Sequence, residues 1–576
     1  MKTKIFLFIF FTVTCFSCND DFLETPPEAL LTDETYWTRE ENVRTFATGF
    51  YTDYFAGYGS GNTWANYFAQ QPLKDAQALN DDFAPAVPVA FTLTVPGSGG
   101  GWTFTRVRRA NLFIERIPTV PMSDEAKNHW TGVGRFFRGM EYADLVNRFG
   151  DVPWYEKTLT ETETEELYKP RDSRTFVMDK VLADFRYAVE NVRVTDGAAK
   201  QAVNKDVVLA FMSRIFLFEG TWQKYHLNNT TKAAEYLEAS KWAADQIISS
   251  GKYSLGNYRD VFSSLSLANN PEVILYRAYE TGLLTHALMS SNNNDPQIGA
   301  SKDVIESYLA EDGLPIKISP LYQGDRGIAN VMANRDPRIY ETFVSNTLRL
   351  NGLNVNYSTT GYATHKFLNE SVKNSLEGSL SSNTTDAPII RYGEILINYA
   401  EAAAELATVG GPAFIQADLD KSVNILRARP GIKLPGLQEE GGLPAINKII
   451  YDDPERDPSV PSMIWEIRRE RRVELIFEGF RLNDLRRWKK LEYADTQANP
   501  DINRGAWISK ADYSATDRAK LKVTLTGTDE GYIIPAPNAA NQRIFNNPRV
   551  YLNPLPTDQL KLYQDQGVEL PQNPGW

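Results

Sequence analysis

The chain has 576 residues, 42% of them hydrophobic and 23% charged, with 37 glycines and 31 prolines, the composition of a globular protein with ample material for a core. Lys and Arg total 61 against 73 Asp and Glu, a formal charge of −12 with a sequence pI near 5.2, which excludes the basic footprint of a nucleic-acid-binding protein. Mean hydropathy is −0.39 and there is one long apolar run, so a polytopic membrane protein is excluded as well, because each spanning helix needs about 20 apolar residues.

That run opens the chain. Lys2 and Lys4 precede the apolar stretch Ile5 to Phe16, and the order of charged flank, apolar segment and small residue predicts an export signal over residues 1–17. Both cysteines, Cys15 and Cys18, lie at its end, so the folded part has no disulfide framework, thiol nucleophile or cysteine metal site. Ser17-Cys18 resembles a bacterial lipoprotein cleavage site, with Cys18 becoming the acylated first residue. Each buried CH₂ contributes about 0.8 kcal/mol, and two or more chains anchor a protein without a spanning helix. Asn19-Asp20-Asp21 resembles the acidic signal that sends such lipoproteins to the outer face of the outer membrane. Residues 18–38, polar and carrying Pro26-Pro27, read as a lipidated tether.

Helical periodicity follows. Gly132 to Phe149 places Phe136, Met140, Ala143 and Val146 on one face, stopped by Gly150 and Pro153. Thr175 to Val192 places Met178, Val181, Leu182, Phe185, Ala188 and Val189 at amphipathic spacing. Asn204 is positioned to cap a further helix, and Thr230 another that ends at Gly251. Short apolar runs and polar clusters then predict loop-rich structure between about Ser254 and Pro388. Helices return at Arg391 to Ala407, at Gln416 to Arg429 before Pro430-Gly431, and from about Ser462 to Lys490. Seven prolines from Pro535 to Pro574 predict a tail that wraps the scaffold as irregular chain. The fold class is therefore mainly α, built of helix pairs with an irregular half. Residues 39–576 form one domain: a helical scaffold over about 39–253 and 389–490, a variable loop-rich region over about 254–388 and an irregular tail over about 491–576.

Searches for catalytic signatures find no phosphate loop, HExxH, GxSxG elbow or EF-hand pattern. His129, His226, His286 and His365 have no partner at helical ligand spacing, and a structural role is favoured for each; no cofactor and no metal are expected. Gly97 to Gly101 reads as a flexible loop. The densest charge run, Glu466 to Glu474 continuing to Glu478 and Arg481, spaces four glutamates at i, i+4 among arginines, a self-neutralising helical network.

Aromatic residues are more suggestive: 11 Trp, 28 Tyr and 29 Phe, many among Gly, Asn and Ser. Flat apolar rings beside amides and carboxylates suit a sugar, whose C–H faces stack while its hydroxyls need polar partners. The candidate platform is Trp64, Tyr67, Phe83, Tyr279, Tyr322 and Tyr362, with Asn80, Asp82 and Asn293 as polar partners.

Several segments in order resemble the SusD/RagB family of outer-membrane nutrient-binding lipoproteins. They include Arg109 to Ile114, Arg135 to Tyr142 leading to Phe149-Gly150-Asp151-Val152-Pro153, and Glu219 to His226. The most specific are Ile390 to Ala402, Arg468 to Leu475, Glu478 to Arg481 and Asp484 to Trp488, with Gln572 to Trp576 closing the chain. The resemblance implies a TPR-like scaffold of helix pairs with a ligand-facing irregular half. It implies a non-enzymatic protein on the outer membrane that delivers oligosaccharide to a SusC-like TonB-dependent transporter. Two alternatives stand beside it: a peptide-capturing member on the same scaffold and a lipid-anchored glycoside hydrolase. The matching motifs belong to the scaffold and name no ligand-binding residue.

Replacing Cys18 with Ala is expected to abolish acylation and release the protein from the membrane fraction with its fold intact. Cell fractionation with mass spectrometry of the N-terminus checks this, and a variant that stays acylated and membrane-bound overturns the lipoprotein reading.

Overall fold

The computed structural model describes residues 36–61, 79–84, 90–294, 298–354, 357–538 and 543–576. Helix α1 (Glu40–Tyr54) buries Val43, Ala47 and Phe50. Helices α2 (Thr105–Arg116) and α3 (Asp124–Phe149) follow. Helix α3 begins at Asp124, ahead of the periodic Gly132 segment, because the Ser123 hydroxyl accepts from the Ala126 amide at 3.2 Å and caps it there. Ser173 caps α4 (Arg174–Asn191) and Asn204 caps α5 (Lys205–Tyr225). Asn229, not Thr230, caps α6 (Thr230–Ser249).

Helices α3 and α4 run antiparallel, and so do α5 and α6. Glycine sets the first approach: a Cβ on Gly139 would lie 2.9 Å from the Phe185 ring. Gly220 does the same in the second pair, where a Cβ would lie 2.6 Å from Leu237 Cγ. Between α6 and the next long helix the chain makes an excursion that includes the short α7 (Lys302–Ser307). Two antiparallel strand pairs tie the excursion down, β1 (Phe83–Ala84) with β3 (Gly299–Ala300) and β2 (Val273–Arg277) with β4 (Ala387–Arg391). Helix α8 (Tyr392–Ala407) then packs on α5 and α6, which closes the scaffold. A meander of β5 (Gln438–Glu440), β6 (Leu443–Ile446) and β7 (Ile449–Ile450) precedes α9 (Ser462–Glu474). Among the described residues no helix is long and apolar enough to cross a membrane.

Three segments depart from the pattern read in the sequence. The Gln416 to Arg429 segment splits into Gln416–Asp420 and Val423–Arg427, because the Ser422 hydroxyl donates to the Asp418 carbonyl at 2.5 Å and competes with the helical ladder. The Ser462 to Lys490 segment stops at Glu474, turns through Phe477 and Gly479 at φ 63° and 82°, and resumes as α10 (Arg481–Arg487). The tail is not wholly irregular: after β8 (Trp507–Ser509) and β9 (Glu530–Tyr532), α11 (Thr557–Asp565) fits between Pro556 and Pro571. Its first amides donate to Pro96 and Gly97 carbonyls, so the Gly97 to Gly101 loop holds the start of that helix.

Two large hydrophobic cores and two smaller ones result among the described residues. The larger lies among the scaffold helices, with Phe136, Phe137, Phe185, Phe211 and Leu396 buried in it. The second sits inside the excursion and is rich in aromatics, among them Tyr58, Tyr258, Phe262, Phe343 and Phe367.

Helix α9 joins them through buried charge. Glu466 and Arg469, at 3.2 Å, form an ion pair within the helix, but Glu470, Glu474 and Glu478 find their cations elsewhere, which corrects the self-neutralising expectation. Glu470 meets Arg338 at 2.7 Å and Arg427 at 3.0 Å. Glu474 meets Arg429 at 2.6 Å and Arg391 at 2.8 Å. Glu478, on the turn after the helix, meets Arg391 at 2.7 Å and Lys366 at 2.8 Å. The break is what brings it there. The last helical carbonyls are satisfied the same way, Glu474 O accepting from Arg391 and Tyr258, each at 2.8 Å.

Burial pushes the Glu474 carboxyl up, but Arg429, Arg391 and Arg338 outweigh it and hold it at about 2; Glu405, equally buried, is held at about 2 chiefly by Lys224 and Arg468. Burial pushes His226 and His286 down to about 3. Unfolded, the histidines protonate near 6.5 and the carboxylates near 4.5, so the unfolded chain binds protons that the folded one refuses. Stability is therefore expected to fall as pH drops from about 6.5 towards 3 through the histidines, and further from about 4.5 towards 2 through the glutamates. Urea midpoints measured across that range check this, and a flat profile would show that these groups do not control acid stability.

Candidate functional site

The outer side of α9 lines a cleft of about 570 Å³, closed by α7, the 315–317 and 453–457 loops and the segment 488–501. Trp465 projects into it half-buried, its indole N–H donating to Asp453 at 2.9 Å. Tyr493 stands across from it, with ring centroids 6.5 Å apart and planes at 74°. Its hydroxyl donates to Asp457 at 2.5 Å, which fixes the half-buried ring. Trp488 is buried at the floor beneath the Arg468 guanidinium, 4.3 Å from the ring centre.

Carboxylates rim these rings. Asp303 accepts from Arg472 and from the Asn499 amide, each at 2.8 Å. Glu306 and Asp501 accept from Lys302 at 2.6 and 2.8 Å. Burial pushes the Asp457 carboxyl up, but bonds from Lys490, Tyr493 and Ser459 outweigh it and hold it well below the usual carboxylate range. Burial pushes Glu306 up, only partly offset by Lys302. Beyond Lys302 a second aromatic pair continues the surface: Trp507 and Tyr532 are direct cross-strand partners on β8 and β9, both half-buried. The Tyr532 hydroxyl donates to Asp325 at 2.5 Å, and the Arg326 guanidinium lies 5.4 Å from the Trp507 ring. Chemically the arrangement offers apolar ring faces beside many hydrogen-bond acceptors. No group of three or more His, Cys, Asp or Glu placed to hold a metal ion occurs among the described residues.

Among the nominated aromatic residues that the structure describes, one lies near this surface. Tyr322 is half-buried beside Arg335, 5.4 Å from its guanidinium, and its hydroxyl has no partner among the described residues. Trp64 and Tyr67 lie outside the described residues, as does the Asn293 side chain. The others are structural in this conformation. Phe83 is buried and stacks on Phe477 at 4.9 Å. Tyr279 is buried with its hydroxyl donating to the Gly59 carbonyl at 2.9 Å, and Tyr362 is buried in the same core. Asn80 accepts from the Asp82 amide at 2.9 Å, while Asp82 pairs with Arg472 at 2.8 Å. The physical reason is the second core: loops that contain Gly, Asn and Ser still bury their rings when they fold on one another. The sequence pointed to α9 only through its charges, although Trp465 sits among them with a polar partner.

The model of the SusD family matches residues 278–576, and the chain belongs to that family. It is 24% identical over 502 residues to SusD-like protein P38 of Formosa agariphila, covering 82% of this chain and 88% of the relative. SusD-like protein P25 of the same organism is 24% identical over 550 residues, covering 87% of this chain and 93% of the relative. In fold the chain is similar to a SusD-like carbohydrate-binding protein from Bacteroides fragilis, with TM-score 0.66, 22% identity and coverage of 92% and 99%. It is also similar to a laminarin-binding SusD-like protein, with TM-score 0.52, 18% identity and coverage of 94% and 100%.

Replacing Phe83 or Tyr279 with Ala is expected to cost about 3–5 kcal/mol of stability through the cavity left in the second core. Urea denaturation checks this. Variants as stable as the parent would show that these rings are not structural.

Proposed function

We propose that this protein is a non-enzymatic lipoprotein, anchored through Cys18 at the outer face of the outer membrane, that captures oligosaccharide in the α9 cleft. It passes the sugar to a SusC-like TonB-dependent transporter, since a chain with a single lipid anchor holds a ligand but does not carry it across a bilayer. The observation that carries the reading is the pairing of Trp465 and Tyr493 over a carboxylate rim, because sugar rings present C–H faces to aromatics and hydroxyls to acceptors. Tyr322, Trp507 and Tyr532 extend the same surface and suit an oligomer longer than the cleft. Family membership and the carbohydrate- and laminarin-binding proteins of similar fold support it.

Trp465→Ala and Tyr493→Ala are each expected to weaken binding of the preferred oligosaccharide by about 1–2 kcal/mol, roughly tenfold in Kd. Calorimetry against a soluble oligosaccharide panel, with melting curves to confirm folding, checks this. Unchanged affinity in both variants would move the site elsewhere.

A further inference from the structure

Each arginine lining the α9 cleft is bonded to a carboxylate. Arg468 donates to Glu405 at 3.0 Å, and Arg469 pairs with Asp453 and with Glu466. Arg472 meets Asp82 and Asp303, each at 2.8 Å, and Arg481 donates to Asp81 at 2.7 Å. Recognition of a sulfate or uronate needs such a fork free and facing the ligand. Among the described residues lining the cleft none is free of a carboxylate.

What faces the ligand instead is acceptor. The lysines behind the rim are engaged as well: Lys302 on Glu306 and Asp501, and Lys490 on Asp457 at 2.7 Å. Each of these cations therefore neutralises a carboxylate, and Asp303, Asp453, Asp457 and Asp501 line the cleft beside them. Glu455 and Glu492 stand more exposed, and Lys317 at the mouth is 3.9 Å from Glu455. A hydroxyl can donate to these oxygens. Within the cleft an anionic group would lie against carboxylates with no unengaged guanidinium in the lining, the exposed Arg326 over Trp507 standing outside it, and the net charge of −12 adds long-range repulsion.

We propose that the cleft selects uncharged oligosaccharides and rejects sulfated and uronate-bearing ones, an inference that rests on reading the cleft as the sugar site. Selection of this kind comes from unfavourable placement of the wrong ligand as much as from attraction to the right one.

The test uses the full mature chain and titrates laminari-, xylo-, manno- and galacto-oligosaccharides, then sulfated and uronate-bearing derivatives of whichever binds. The derivatives are expected to bind roughly tenfold more weakly at low salt, with the gap narrowing as salt rises. Reversing the exposed charges with Glu455→Lys and Glu492→Lys is expected to shrink the ratio between neutral and anionic forms. Equal or tighter binding of the anionic forms by the parent chain, or a ratio unmoved by both reversals, overturns the charge selection while leaving the sugar site standing. Failure to bind any of these oligosaccharides, charged or uncharged, removes the sugar-site reading and this inference with it.

Discussion

A carboxylate taken out of water must meet a cation, and α9 with the turn after it carries Glu466, Glu470, Glu474 and Glu478 into the interior. Removing one partner of such a buried pair costs about 3–5 kcal/mol, because the charge left behind has no solvent to receive it. The elements that supply Arg338, Lys366, Arg391, Arg427 and Arg429 are thereby held in place around one helix. Those residues come from the excursion, from the end of β4 and from the segment after α8. Apolar side chains of similar volume can match the stability of such a network, but they do not specify which loop meets which turn of the helix. Directional forks do.

The same helix separates two kinds of packing. On one side α8 meets α9 through helix–helix contacts of the scaffold. On the other, the excursion folds on its own aromatic core and covers the buried glutamates with Tyr258, Phe262 and their neighbours. The turn at Phe477 to Gly479 ends the helix where Glu478 must point inward and where Phe477 must stack on Phe83. Charge pairing and ring packing thus agree on the same break.

The cleft inherits its character from this arrangement. Arginines that reach its wall are already committed to carboxylates, so the surface facing solvent is acceptors and ring faces. A binding surface of that kind needs no strained backbone and no titrating nucleophile. Its walls are fixed by hydrogen bonds, Asp453 holding Trp465 and Asp457 holding Tyr493.

Local signals were legible in the chain itself. The cap at Asn204, the periodic apolar face of α4, the helix from Arg391 and the proline-rich end all depend on neighbours a few residues away, and the scaffold motifs carried the family likeness on the same elements. The sequence also showed a tract of alternating glutamate and arginine and called for neutralisation, but i, i+4 spacing cannot say whether a carboxylate meets its own helix or Arg429 from a distant segment. Likewise, an aromatic in a polar loop looks the same in sequence whether it reaches the surface or stacks on another loop: Tyr279 and Tyr322 are told apart by burial alone. Whether a ring faces solvent is a property of every segment that packs over it. Only the tertiary structure brings those segments together, so only it could assign the rings, and the charges, to the interior or to the cleft.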